Sequence, residues 1–200
     1  MQESIDSILA YWFGEQAEDV AAAQAQAQLW WKKNAQVDAD IKNRFSEHVA
    51  QAGIGALDDW AQEPRGRLAL ILLCDQFTRH IYRDTPQAFS LDSRALALTK
   101  EGLASKADQA LRPIERVFLY LPLEHSESIA DQHEAVRLFE QLKATVPQEA
   151  QATFDGFLDF AIRHRDIIAR FGRFPHRNAV LGRASTQEEL EFLKQPGSGF

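Results

Sequence analysis

The chain is poor in cysteine: Cys74 is the single one among 200 residues. One thiol excludes an intrachain disulfide framework and a multi-cysteine zinc site. A bilayer-spanning run is missing too. The longest apolar stretch is LALILLC, Leu68 to Cys74, far short of the ~20 residues a transmembrane helix needs. Placed in that run, Cys74 reads as a small buried hydrophobe rather than a nucleophile. The opening MQESIDSILAYW has no basic region followed by an apolar stretch, so no signal peptide is expected. A surplus of positive charge is lacking as well: the net charge is −7, which argues against nonspecific binding to nucleic acid. No alternating apolar pattern is flanked by hairpin turns, so strands are not expected. These absences leave a soluble, cytoplasmic protein with no membrane or nucleic-acid partner as the expectation.

What is present is ordinary globular composition, 45% hydrophobic and 26% charged, in a length that suits a single domain over residues 1–200. A chain of this size buries about 70% of its unfolded surface, enough for a core without staples. Helical spacing runs nearly throughout. Ser4 suits an N-cap for Ile5, Ile8, Leu9 and Trp12, and Gly14 an end. The Ala/Gln-biased residues 21–28 read as a solvated helix or a linker. Trp30 and Trp31 read as core before interface. Asp38 is placed to cap a helix carrying Ile41, Phe45, His48 and Val49. Pro64 starts a helix that continues through Phe77 and Ile81 and is apolar nearly all round, hence central. A strand is the rival reading for LALILLC alone.

Further along, Thr85-Pro86 and Arg112-Pro113 open two more helices, and Pro122 is expected to interrupt or kink the second. Helices over 127–145 and 148–171 follow, the latter ended by Gly172. Ser185 with Glu188 forms a capping box for a last helix. The whole reads as an all-α array of eight to ten antiparallel helices. No fixed repeat period is visible.

Four polar clusters carry possible chemistry. Asp75 and Arg79 are spaced i, i+4 on the central helix, so burial of either demands a partner; a structural ion pair is the favoured reading. Glu124, His125, Ser126 and Glu127 follow the Pro122 break and offer acid–base groups, though helix capping and interhelical hydrogen bonds are the favoured reading. Their spacing with His133 fits no zinc signature, and no metal or cofactor is expected. His133 and His164 both fall on the core-facing side of their helices by spacing.

The fourth cluster is RHRDIIARFGRFPHRNAVLGR, residues 163–183. It holds six arginines against one acid, Asp166, inside an acidic chain. Arginine is used exclusively: lysine is absent between Lys143 and Lys194. Planar bidentate donors suit carboxylate or phosphate, and suit internal pairing with Glu115, Glu124 or Glu127 just as well. Interleaved Phe171, Phe174, Pro175, Val180 and Leu181 imply a loop folded onto the core.

The segments DQFTRHIYRDTPQAF (75–89), FLYLPLEHSES (118–128) and RFGRFPHRNAVLGRASTQEELEFL (170–193) resemble an uncharacterised, mainly bacterial family, the domain-of-unknown-function family 924. YWFG (11–14) and WWKK (30–33) fit its N-terminal region. The resemblance implies a tetratricopeptide-like superhelix of stacked hairpins and supplies no catalytic residues. Its motif positions fall on Asp75, Gln76, Arg79, Tyr82, Arg83, Glu124, His125, Ser126, Glu127, Gly172, Arg173, Pro175, His176, Arg177 and Asn178. The chain departs from the pattern at Thr78 and His80, where proline and asparagine are expected.

Three functions follow from these residues. The first is binding of a small anion or an acidic peptide end by Asp75, Arg79, Tyr82, Arg83, Arg173, His176, Arg177 and Asn178 on a concave surface. The second is a hydrolase or lyase with Glu124, His125 or His176 as acid and base and arginines stabilising negative charge. The third is a scaffold using the Trp30-Trp31 region.

Overall fold

Local capping chemistry starts the first helix of the structure, a computed structural model that describes residues 3–199. The Ser4 hydroxyl accepts from the Ser7 amide at 3.2 Å, and the Ser7 hydroxyl accepts from the Ser4 amide at 2.7 Å. Helix α1 runs Ile5–Phe13 and ends at Gly14, which adopts φ +69. The Ala/Gln segment is helical, α2, Asp19–Trp31, with Ala22, Ala23 and Trp30 turned inward. Its alanines give the close approach that a stripe of larger residues would prevent.

Helix α3 spans Ala35–Gly53, and its cap is Asn34, whose side chain accepts from Gln36 and Val37. Asp38 therefore sits inside the first turn and is not the cap. The next helical run begins at Pro64 as α4 (Pro64–Ile71), passes through a π-helical turn at Leu72–Phe77, and ends as α5 (Thr78–Ile81). LALILLC is thus helical, and every residue from Leu68 to Phe77 is buried. Cys74 lies in it with its thiol pushed up to about 12 by burial, so it is inert as a nucleophile.

Pro86–Phe89 forms only a 3₁₀ turn, and α6 starts later, at Asp92–Ala104. Helix α7, Pro113–Glu124, runs through Pro122 and ends two residues beyond it. The proline removes one amide donor near the C-terminal end, where little helix remains to break. Helices α8 (Ile129–Thr145) and α9 (Gln148–Phe171) form an antiparallel hairpin against α7. Gly172 ends α9 in the left-handed region, as its sequence position implies. The last helix, α10 (Gln187–Leu193), is capped by Thr186 with Glu189, one residue later than the Ser185–Glu188 reading.

The described residues are all-helical, with no strand. The core is aromatic at its centre. Trp12 contacts Phe77 and Phe118 at ring separations of 5.4 and 5.5 Å, Phe45 meets Phe77 at 4.7 Å, and Trp30 meets Phe118 at 4.7 Å. Trp30 also donates to the Trp12 carbonyl at 2.9 Å. Trp31 departs from the core expectation, being 48% exposed while it stacks on Phe118. A smaller cluster of Ile167, Ile168 and Phe174 pins the arginine loop to α9. No helix among the described residues is long and apolar enough to cross a membrane.

Candidate functional site

The π-turn at Leu72–Phe77 sets the site. An α-helix widened by one residue shifts the side chains that follow it, and such turns recur at functional positions. Here the turn points Asp75 into the protein with no solvent exposure. The Asp75 carboxylate accepts from Gln76 at 2.5 Å and from His125 Nδ1 at 2.7 Å, and it lies 3.1 Å from Arg79 Nη1. Burial alone would raise its pKa; the Arg79 guanidinium and the His125 imidazole outweigh that and hold the carboxyl well below its usual range.

Arg79 in turn donates to the Asp75 carbonyl at 2.5 Å and grips Asp92 through both terminal nitrogens at 3.0 and 3.2 Å. The two departures from the family pattern fit this local geometry. Thr78 donates its hydroxyl to the carbonyls of Cys74 and Asp75 at the π-turn, and His80 Nδ1 meets Asp38 at 2.8 Å.

The arginine loop folds inward onto the same place. Phe174, Pro175, Arg177 and Asn178 are buried. The Arg177 guanidinium lies between the rings of Phe174 and Phe89, 4.4 and 4.9 Å from their centroids. It is 7% exposed. Its Nη1 donates to the His125 carbonyl at 3.1 Å and stands 3.6 Å from Asp92, and its buried Nε has no acceptor. Burial pushes this guanidinium down to about 10, and the neighbouring Arg79 charge adds to the push. A cation so deep and so incompletely paired is costly.

These groups surround an open hollow of about 220 Å³ lined by Asp92, Ser93, Leu96, Pro122, His125, Ser126, Glu127, Arg177 and Leu181. One wall is the first turn of α6, which no side chain caps. Amide donors at such an end favour an anion. Leu96, Pro122 and Leu181 supply an apolar wall. On the far rim Glu127 accepts from the Phe174 amide at 2.8 Å and from Arg183 at 2.7 and 3.0 Å, which ties the loop down.

Of the sequence candidates, Asp75, Arg79, His125 and Arg177 converge, with Ser126 and Glu127 in the hollow's lining. The rest do not. Arg173 clamps Glu189 at 2.6 and 2.8 Å, and Asn178 donates to Ser185 and Glu189, so both serve to hold α10. Arg83 pairs with Asp38 through two contacts of 2.6 Å, beside His80. Tyr82 lines a separate hollow with Val49, Gln87 and Leu91. Glu124 is buried toward α9, its carboxylate 2.9 Å from His164 Nδ1.

His176 packs on Phe174 outside the hollow's lining, and burial, reinforced by Arg177, drives its pKa down to about 3, too low for a base at neutral pH. His133 is exposed, not inward, so it does not meet His164. His125 does, at 6.1 Å between rings. Sequence reasoning missed Asp92 and Ser93, because the Thr85-Pro86 signal placed the start of α6 too early. No group of metal-ligating side chains is present among the described residues.

Residues 8–197 match the model of the family described as bacterial protein of unknown function, DUF924. A solved structure of a protein of unknown function, ATU0120 from Agrobacterium tumefaciens, is similar: 34% identity, 95% of this chain and 96% of that chain covered, TM-score 0.80. No curated protein matches.

Proposed function

We propose, for a chain that belongs to the bacterial DUF924 family, that it binds a small anionic ligand, a carboxylate or phosphate, in the hollow between the first turn of α6, the end of α7 and the arginine loop. The observation that carries this reading is Arg177: a guanidinium 7% exposed whose Nε finds no acceptor and whose nearest carboxylate stands 3.6 Å away. Arg183 also leaves a buried Nε unpaired, so the carboxylate distance makes the contrast: Arg163, Arg165, Arg170, Arg173 and Arg183 each have a carboxylate oxygen within 2.8 Å. The uncapped first turn of α6 supports the same sign of ligand, and the apolar wall suits a ligand with an organic body.

Thermal denaturation in the presence of inorganic phosphate, acetate and 4-hydroxybenzoate tests the reading. At least one of these anions should raise the midpoint, since a ligand at a hundred times its Kd adds about 2.7 kcal/mol to stability. Arg177→Ala should abolish the rise, and Arg177→Lys should weaken it, because an ammonium cannot reproduce the planar fork. Absence of any stabilisation by all three anions would sink the proposal.

A further inference from the structure

The floor of the hollow holds a group that anion binding alone does not use. His125 Nδ1 meets the fully buried Asp75 carboxylate at 2.7 Å. That contact keeps the proton on Nδ1 and the lone pair on Nε2. His125 lines the hollow, and the hydrogen bond of its ring is the one at Nδ1, which leaves Nε2 as the nitrogen for chemistry. The ring is held neutral: burial lowers its pKa, Asp75 opposes, and Arg79 lowers it again.

The charged and titratable groups around the ring come from every neighbouring element. They are Asp75 and Arg79 from the π-turn and α5, Asp92 from α6, Glu124 and Glu127 beside it in the chain, His164 from α9, and Arg177 with His176 from the loop. An oriented, neutral imidazole beside unused anion donors is the arrangement of a general base with charge stabilisation opposite it. The π-turn sets the direction of Asp75, whose carboxylate meets the ring.

Resting on the anion-binding reading above, we propose that His125 is a general base and that the protein hydrolyses a carboxylic ester bearing an anionic group. Arg177 and the α6 amides hold the anionic group and so place the ester carbonyl against His125. His125 Nε2 takes a proton from a water molecule as the water oxygen bonds to the carbonyl carbon. The tetrahedral intermediate collapses, the ester C–O bond breaks, and the imidazolium returns the proton to the leaving oxygen. One water is consumed and an acid and an alcohol are released. Asp75 is the positioning residue; it fixes the tautomer and stabilises the imidazolium.

The test uses 4-acetoxybenzoate as the anionic ester, neutral phenyl acetate as its control, and 4-hydroxybenzoate as the binding probe. The wild type should cleave 4-acetoxybenzoate with kcat/KM at least ten-fold above that for phenyl acetate. His125→Gln should lower it by about 10²-fold or more, while 4-hydroxybenzoate still raises the melting midpoint of that variant, which shows it folded and binding. Asp75→Asn should move the midpoint of the kcat/KM–pH profile to lower pH, because it removes the carboxylate that holds the imidazole pKa up. His133→Gln, an exposed imidazole remote in role, should change nothing. Protein stabilised by 4-hydroxybenzoate that cleaves neither ester, or cleavage that survives His125→Gln, overturns the base while leaving binding intact. No stabilisation by 4-hydroxybenzoate, phosphate or acetate overturns both.

Discussion

Residue by residue, the arginine segment divides by what each guanidinium touches. Arg173 and Arg183 close on Glu189 and Glu127 and staple the loop to α10 and to the end of α7. Arg177 faces two aromatic rings, one carbonyl and a distant carboxylate. Spacing could not make that distinction, since acids contributed by α6 and α10 decide it. Arg177 also gives the cleanest separation of stability from binding. Replacing an incompletely paired buried charge by an apolar side chain of similar volume is often neutral or stabilising by about 1–4 kcal/mol. Arg177→Met, sandwiched between Phe89 and Phe174, should therefore leave unfolding in urea unchanged or shift it to higher denaturant, and should lose all response to anions. A fall of several kcal/mol without added anion would show that the guanidinium is structural after all.

At the scale of elements, what was legible depended on how local the signal was. Helix α9 and its Gly172 end could be read directly, because a long stripe and a left-handed C-terminal residue are local properties. The inward face of α8 was misjudged. Ile129 sits exposed at its first position, so counting from it turned His133 inward when Gln132 and Val136 hold the face. The π-turn was invisible, since a widened turn has the same composition as the helix around it. It nevertheless determines where Asp75 points.

Two glycines in helices make a matched test of packing against propensity. Gly66 in α4 lies so close to the Trp60 carbonyl that an added Cβ would fall inside van der Waals contact with backbone. Gly156 in α9 has nothing within 4 Å of that position. Alanine favours a helix over glycine by about 1 kcal/mol, so Gly156→Ala should stabilise by about 0.5–1 kcal/mol. Gly66→Ala should destabilise by about 1–3 kcal/mol, as overpacking does. Urea midpoints of the two variants, moving in opposite directions, would bear this out.

For the whole molecule, buried titratable groups set the response to acid. His80, His125 and His176 are all held below the ordinary histidine value, chiefly by burial, His176 at about 3. Asp38, Asp75 and Glu127 are held below theirs because arginine or histidine partners outweigh burial, and Glu189 is lowered to about 2, first by its bond to Arg173. In both classes the folded pKa is depressed, so the unfolded chain binds more protons than the native one across the interval between the two values. Stability then rises with pH in that interval and is lost as pH falls.

The histidines act first, from about pH 6.5 downward, and the carboxylates follow below about pH 4.5. Unfolding free energy should therefore stay level near pH 7–8 and decline in two stages on acidification. His176→Leu tests the assignment of the upper stage. It removes a group that must be carried neutral into a partly buried site and cannot then protonate on unfolding. The variant should lose stability less steeply than wild type between about pH 6.5 and 3 and run parallel to it below. Denaturation midpoints measured across that range should show the variant gaining on wild type as the pH falls; curves that stay parallel throughout would mean the imidazole is hydrated in the native protein and that the loop around Phe174 is looser than its packing indicates.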